Sequence, residues 1–148
     1  MTRRTVLSVL LLCALSGCWV AGYGRIQPRH VEGAWSFRAT GASACGVDSL
    51  EVRLRDGDRT WGSFFVAGEA RVLGAPGAGP ARRLTHGRVS PQSGHFLLVF
   101  SDREAPDATD QFELEGEFDE AGGATGRFTR LLPDPDCTVP VAGRMRDR

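Results

Sequence analysis

The chain has 148 residues, a length that suits one domain, and its 18 basic residues balance its 18 acidic ones. Every basic residue is Arg and none is Lys, which excludes a phosphate-binding P-loop and a Schiff-base lysine. Because the net charge is zero, no excess of positive charge is present to neutralise phosphates, and we expect no nucleic-acid partner. The 19 Gly and eight Pro residues favour frequent turns over long helices.

The first 17 residues are organised like an export signal. Arg3 and Arg4 form a positive segment, and an apolar stretch from Val6 to Leu15 follows it. This stretch is too short to cross a bilayer, so we predict a signal helix over residues 1–17 that is cleaved off. The two arginines also fit twin-arginine export, which is the alternative to the general secretory route.

The residues at the end of this signal, Leu15-Ser16-Gly17-Cys18, resemble the lipobox of bacterial lipoproteins. The resemblance implies cleavage before Cys18, a lipid on its thiol, and acylation of the new amine, typically by palmitate. Trp19 in place of Asp implies a lipid-anchored protein of the cell envelope, at the outer membrane facing the periplasm rather than at the inner membrane. Residues 18–30 would then be the lipidated Cys and a flexible tether, and residues 31–148 the domain. An ordinary secretory signal cut nearby is the alternative.

Two further cysteines remain in the domain. Cys13 leaves with the signal and Cys18 takes the lipid, which leaves Cys45 and Cys137. An even pair in an oxidising compartment predicts one disulfide, with two free buried thiols as the alternative. No CxxC or paired His accompanies them, so no zinc site is predicted.

From residue 31 onward the pattern is one of strands and turns. Residues 49–55 and 111–118 alternate cleanly between apolar and polar side chains, as half-buried strands do. We predict eight strands, at 34–40, 49–55, 59–73, 82–90, 95–101, 111–118, 124–132 and 138–145. A tight turn is predicted at Asp56-Gly57 and a loop over 74–80. Such a meander predicts an all-β, antiparallel, up-and-down eight-stranded barrel, with a two-layer β-sandwich as the alternative.

A Gly followed two residues later by a bulky side chain occurs six times in the predicted strands. In a strand these two residues share one face, and the large side chain covers the gap above the Gly. The repetition predicts a small and strongly curved sheet. The six units begin at Gly33, Gly62, Gly87, Gly116, Gly126 and Gly143.

The first of these units, Gly33-Ala34-Trp35, resembles the Gly-x-Trp opening of the calycins, which include lipocalins and avidins. The resemblance implies a barrel in which Trp35 packs at the closed end beside a basic side chain from a late strand. Strand parity nominates Arg130 for that role. A small apolar ligand inside the barrel is one expectation, and complete filling by aromatic side chains is the other. The predicted ligand-binding residues are Trp35, Phe37, Phe64, Phe100 and Arg130.

The same opening, followed by Cys45 and the alternation of residues 50–54, also resembles bacterial periplasmic metalloprotease inhibitors. That resemblance implies a protein-binding inhibitor of an exported hydrolase. If Phe64 faces inward, Trp61 and Phe65 face outward, and exposed aromatic residues on a strand indicate a contact surface. Trp61 and Phe65 are therefore the predicted partner-binding residues, and coverage of both by the loop 74–80 is the alternative. An inhibitor is expected to present this aromatic patch or a protruding N-terminal segment to its target.

No arrangement of residues in the sequence predicts catalysis. The three His residues stand apart from Cys and from any HExxH pattern. The acidic loop 102–110 lacks the spacing of a calcium loop and is predicted to be solvated. We therefore predict a non-enzymatic protein without metal or cofactor. It would be a membrane-anchored envelope lipoprotein whose barrel binds a small apolar ligand or acts as an interaction module.

Overall fold

The fold is a single sheet of antiparallel strands. A computed structural model describes residues 24–41, 45–60, 62–74, 77–133 and 137–146. A one-turn 3-10 helix, Pro28–His30, precedes the first strand. The strands are β1 (Gly33–Ala39), β2 (Ser49–Thr60), β3 (Ser63–Gly74), β4 (Gly77–Ala78), β5 (Arg82–Val89), β6 (His95–Ser101), β7 (Gln111–Phe118), β8 (Gly123–Leu132) and β9 (Cys137–Met145).

The sheet closes on itself. Each long strand pairs with its neighbours in sequence, and β1 also pairs with β9, so that no long strand is left without a second partner. The two-residue strand β4 only extends β3. The eight long strands form a closed, up-and-down barrel, which confirms the predicted fold class and excludes the sandwich. The predicted signal helix and Cys18 lie outside the described residues.

The barrel has two different ends, which we call the base and the mouth. The base is the end where β1 begins and β9 finishes, and it includes the turns at 90–94 and 119–122. The mouth is the opposite end, where β6 leads into the loop 102–110 and β9 begins. A disulfide joins Cys45 to Cys137 at the mouth, with the two Cα atoms 5.5 Å apart, which confirms the predicted bridge. Closing a 92-residue separation stabilises the fold by at most about 4–5 kcal/mol in the chain-entropy model.

The predicted hairpin turn at Asp56-Gly57 is wrong. Both residues lie within β2, where Asp56 pairs with Val66, and the register shifts between Asp56 and Arg59. The strand connection comes later, at Gly62, whose φ of 76° suits glycine. Gly57 instead allows β2 and β3 to approach closely, because a Cβ on it would overlap the carbonyl group of Phe65.

The segment before β1 packs against the base. The amide of Ile26 donates a hydrogen bond to the carbonyl of Pro91 at 2.9 Å, and the Ile26 side chain is only 1% exposed. Val31, after the 3-10 helix, is fully buried. Within the predicted tether of residues 18–30, residues 24–30 therefore lie against the barrel, with Ile26 as their buried contact.

The interior is filled by aromatic side chains in two groups. The base group contains Trp35, Phe37, Phe96 and Phe118, and the mouth group contains Phe100, Phe112 and Phe128. Ring centroids within the groups lie between 4.2 and 6.4 Å apart, so the rings of each group are in direct contact. Each of these seven side chains is at most 1% exposed. The core therefore runs the length of the barrel.

Candidate functional site

The four aromatic residues predicted to bind a ligand all lie in the core. Trp35, Phe37, Phe64 and Phe100 are between 0 and 4% exposed and belong to one hydrophobic cluster. They fill the interior because the glycines let neighbouring strands bend and approach each other closely, and the rings occupy the space beside the glycines. Of the five predicted ligand residues, Arg130 is the one with an accessible side chain, 27% exposed.

Trp35 and Arg130 are at opposite ends of the barrel, which corrects the predicted contact between them. Trp35 lies near the base, and its indole Nε1 donates a 2.7 Å hydrogen bond to the carbonyl of Val31. Arg130 lies at the mouth, in register with Phe112 and Cys137. Strand parity places Arg130 on the inward side but carries no information about height along the strand, which explains the error.

The two predicted partner-binding residues flank the β2–β3 connection. Trp61 lies outside the described residues. Phe65 is half-buried on the outer face of β3, directly opposite Arg88 of β5. The Nε of Arg88 donates a 3.0 Å hydrogen bond to the hydroxyl of Ser63, which holds the guanidinium beside this surface.

A small pocket opens at the mouth, and we call it the mouth pocket. Its volume is about 240 Å³. The buried side of the pocket is apolar and is formed by Val47, Val72 and the ring of Phe112. Glycine backbone lines part of the wall. The charged described residues that line it are Arg82, Asp110 and Arg130.

These three charged residues form a connected group. Arg82 donates from Nε and Nη2 to Oδ2 of Asp110, at 2.8 and 2.6 Å. Arg130 donates from Nη1 to the other carboxylate oxygen at a longer distance, 3.4 Å. All three side chains are half-buried, at 18 to 27% exposure. Two guanidinium groups share one carboxylate, so the group carries one excess positive charge.

Asp102 orders the loop that delivers Asp110 to the pocket. Its carboxylate accepts a 2.6 Å hydrogen bond from the Thr109 hydroxyl. It also accepts hydrogen bonds of 3.0 Å from the backbone amides of Thr109 and Asp110. The Thr109 hydroxyl and the Asp110 amide hold the pKa of Asp102 well below its usual range. Asp102 is therefore ionised at neutral pH. Its hydrogen bonds hold the loop so that Asp110 reaches both arginines.

Sequence reasoning missed Arg82 and Asp110. They are 28 residues apart in the chain, and only the pairing of β5 through β8 brings them together. The sole sequence signal was the acidic loop, which was predicted to be solvated. Its carboxylates at 102 and 110 accept protein hydrogen bonds instead, and no cluster with metal-ligand character occurs within the described part of the chain.

Two further open cavities lie on the outside of the barrel. One, of about 320 Å³, lies over β1–β3 and is lined by paired charges that include Glu51 and Arg146, 2.8 Å apart. The other, of about 710 Å³, is a wide groove along β1, β9 and β8 with Arg38 and Arg144 at its edge. Among the described residues, neither cavity is lined by two arginines that bind one carboxylate, as the mouth pocket is. Among the residues described, no helix is long and apolar enough to cross a membrane.

Comparisons with known proteins find no counterpart. No family model matches the chain, and neither a curated protein nor a solved structure matches it.

Proposed function

We propose that this chain is a non-enzymatic, lipid-anchored lipoprotein of the cell envelope whose calycin-like barrel binds at its mouth and outer surface rather than in its interior. The observation that carries the proposal is the buried core, in which the two groups of aromatic rings belong to one hydrophobic cluster. Seven rings at most 1% exposed occupy the space that a barrel of this strand number would offer to a ligand. The lipobox at residues 15–18 supports the anchor.

The position of the N-terminal segment supports a fixed geometry at the membrane. Residue 24 lies at the base, beside Pro91, and five residues separate it from Cys18. The six residue steps from Cys18 to residue 24 reach at most about 22 Å when fully extended. An anchor at Cys18 would therefore hold the base next to the membrane and turn the mouth away from it.

The alternative, an inhibitor of an exported hydrolase, gains less support from the structure. Such an inhibitor was expected to present a protruding N-terminal segment or an aromatic patch around Trp61 and Phe65. Residues 24–30 pack against the base instead, and Phe65 is half-buried beside Arg88. The surface-binding module remains the function that the geometry favours.

The anchor is tested by replacing the lipid-bearing thiol. In Cys18→Ser we expect a slower-migrating, uncleaved precursor that incorporates no labelled palmitate, because the thioether and the cleavage that follows it both require the thiol. The measurement is palmitate labelling with electrophoresis of membrane and soluble fractions.

The matched control is Cys13→Ser, which removes a thiol from the same signal segment. This variant should mature and label like the unaltered protein. Normal maturation and labelling of Cys18→Ser would contradict the lipid anchor.

A further inference from the structure

We propose that the mouth pocket is a binding site for a small organic carboxylate with a short apolar body. The site consists of the guanidinium groups of Arg82 and Arg130, bridged by Asp110, above a floor of Val47, Val72 and Phe112. This inference deepens the ligand-binding side of the proposed function and does not depend on the lipid anchor.

The charge balance of the pocket favours an anion. Asp110 neutralises one of the two guanidinium groups, and no other described residue that lines the pocket is charged. The remaining positive charge is partly removed from solvent, which makes it stronger than a fully exposed one. A bound carboxylate would complete the balance, because it offers two acceptor oxygens to arginine N–H groups in matching geometry.

The hydrogen bonds show which arginine is available. Arg82 is committed to Asp110 through two short bonds, whereas Arg130 makes one long contact of 3.4 Å. The Arg130 guanidinium therefore has most of its N–H donors left for a ligand within the described surroundings. We assign Arg130 the direct contact and Arg82 the role of holding Asp110.

The floor and the volume of the pocket determine the size and character of the part of the ligand that does not carry the carboxylate. Phe112 stacks on Phe100 with ring centroids 5.1 Å apart, which holds its ring in place beneath the pocket. Val47 and Phe112 are 1% exposed and present little surface, so the half-buried Val72 is the floor residue with accessible apolar surface. A volume of about 240 Å³ is below the range of drug-sized ligand sites. The pocket thus suits a short aliphatic acid better than a long-chain one.

Calorimetric titration of the purified full-length lipoprotein, in non-ionic detergent micelles, tests the proposal with three probes. Hexanoate should bind saturably, with a Kd of about millimolar or tighter. Hexanamide, which has the same shape without the charge, and acetate, which lacks the apolar body, should each bind at least about tenfold more weakly. Titration into empty micelles corrects for partitioning of the probes.

Two variants of the charged group should move affinity in opposite directions. Arg130→Gln leaves a neutral Arg82–Asp110 pair and should weaken hexanoate binding at least about tenfold. Asp110→Asn leaves two uncompensated guanidinium groups and should tighten it. Arg127→Gln, on the same strand but exposed on the outer face, is the matched control and should bind hexanoate as the unaltered protein does.

The outcomes separate this site from the lipid anchor. No saturable hexanoate binding, equal binding of hexanamide, or equal binding by Arg130→Gln would each overturn the carboxylate site. Equal binding of acetate would overturn the role of the apolar floor. None of these results bears on Cys18, whose test is membrane fractionation and labelling.

Discussion

Gly116 and Gly126 lie opposite each other on β7 and β8 and show how single residues shape the barrel. A Cβ on Gly116 would overlap the carbonyl oxygen of Thr125, and a Cβ on Gly143 would run into the ring of Phe37. Because these side chains are absent, strands bend closely around the core and aromatic rings cover the gaps. The repeated Gly-x-bulky unit in the sequence is thus a signal of curvature.

Gly116→Ala should therefore destabilise the fold. The new methyl group meets backbone rather than a movable side chain, and overpacking of this kind costs about 1–3 kcal/mol. Denaturant unfolding measures the loss. Gly41→Ala is the control, because a Cβ there makes only an ordinary 3.8 Å contact with Pro140, and its stability should stay near that of the unaltered protein. A stable Gly116→Ala would show that the close approach at this pair is not required.

Single residues also mark the limit of what the sequence could predict about the site. Alternation placed Phe112, Leu114 and Phe118 on the inner face, and all three are buried. Alternation cannot tell at which end of a strand a side chain meets its neighbours. Alternation therefore indicated the face of Arg130 but not its position along the strand. Arg130 contacts Asp110 at the mouth, whereas the predicted contact with Trp35 would require it to lie at the base.

At the scale of elements, the N-terminal segment is the part that departs most from its prediction. Residues 24–30 show no periodicity, and they contain Gly and Pro, so they carry no local sign of order. Their position comes from tertiary contacts at the base. Ile26 is buried there, where a Cβ on Gly94 would come within 3.0 Å of its side chain, and Arg25 contacts Ser93 and Glu120. The turn at Asp56-Gly57 was wrong for a related reason, because continued pairing of β2 with β3 overrides local turn preference.

Ile26→Ala should separate this segment from the barrel. Removing a buried Ile side chain costs about 2–5 kcal/mol when the cavity cannot close, and the amide of Ile26 should lose protection as its bond to Pro91 opens. Hydrogen exchange of residues 24–31 and thermal unfolding measure both effects. Arg29→Ala, an exposed position in the same segment, should change neither. Unchanged exchange in Ile26→Ala would mean that the segment is not held by this side chain.

At the scale of the whole molecule, the sequence predicted the number and order of the long strands because their alternation and turns are local signals. Whether eight such strands close into one barrel or divide into two sheets depends on the pairing of β1 with β9, which is not local. Whether the interior contains a ligand cavity or a filled core is likewise not decided by local signals in the sequence. Inward aromatic residues are expected in both cases, and only their mutual distances decide between them.

The proposed binding at the mouth and outer surface requires that the barrel interior is filled by its own side chains. Xenon enters apolar cavities that are empty and large enough to hold it. Diffraction from crystals of the protein pressurised with xenon should show no xenon atom inside the barrel between Phe37 and Phe100. An ordered xenon atom at that position would reveal an interior cavity and contradict the account.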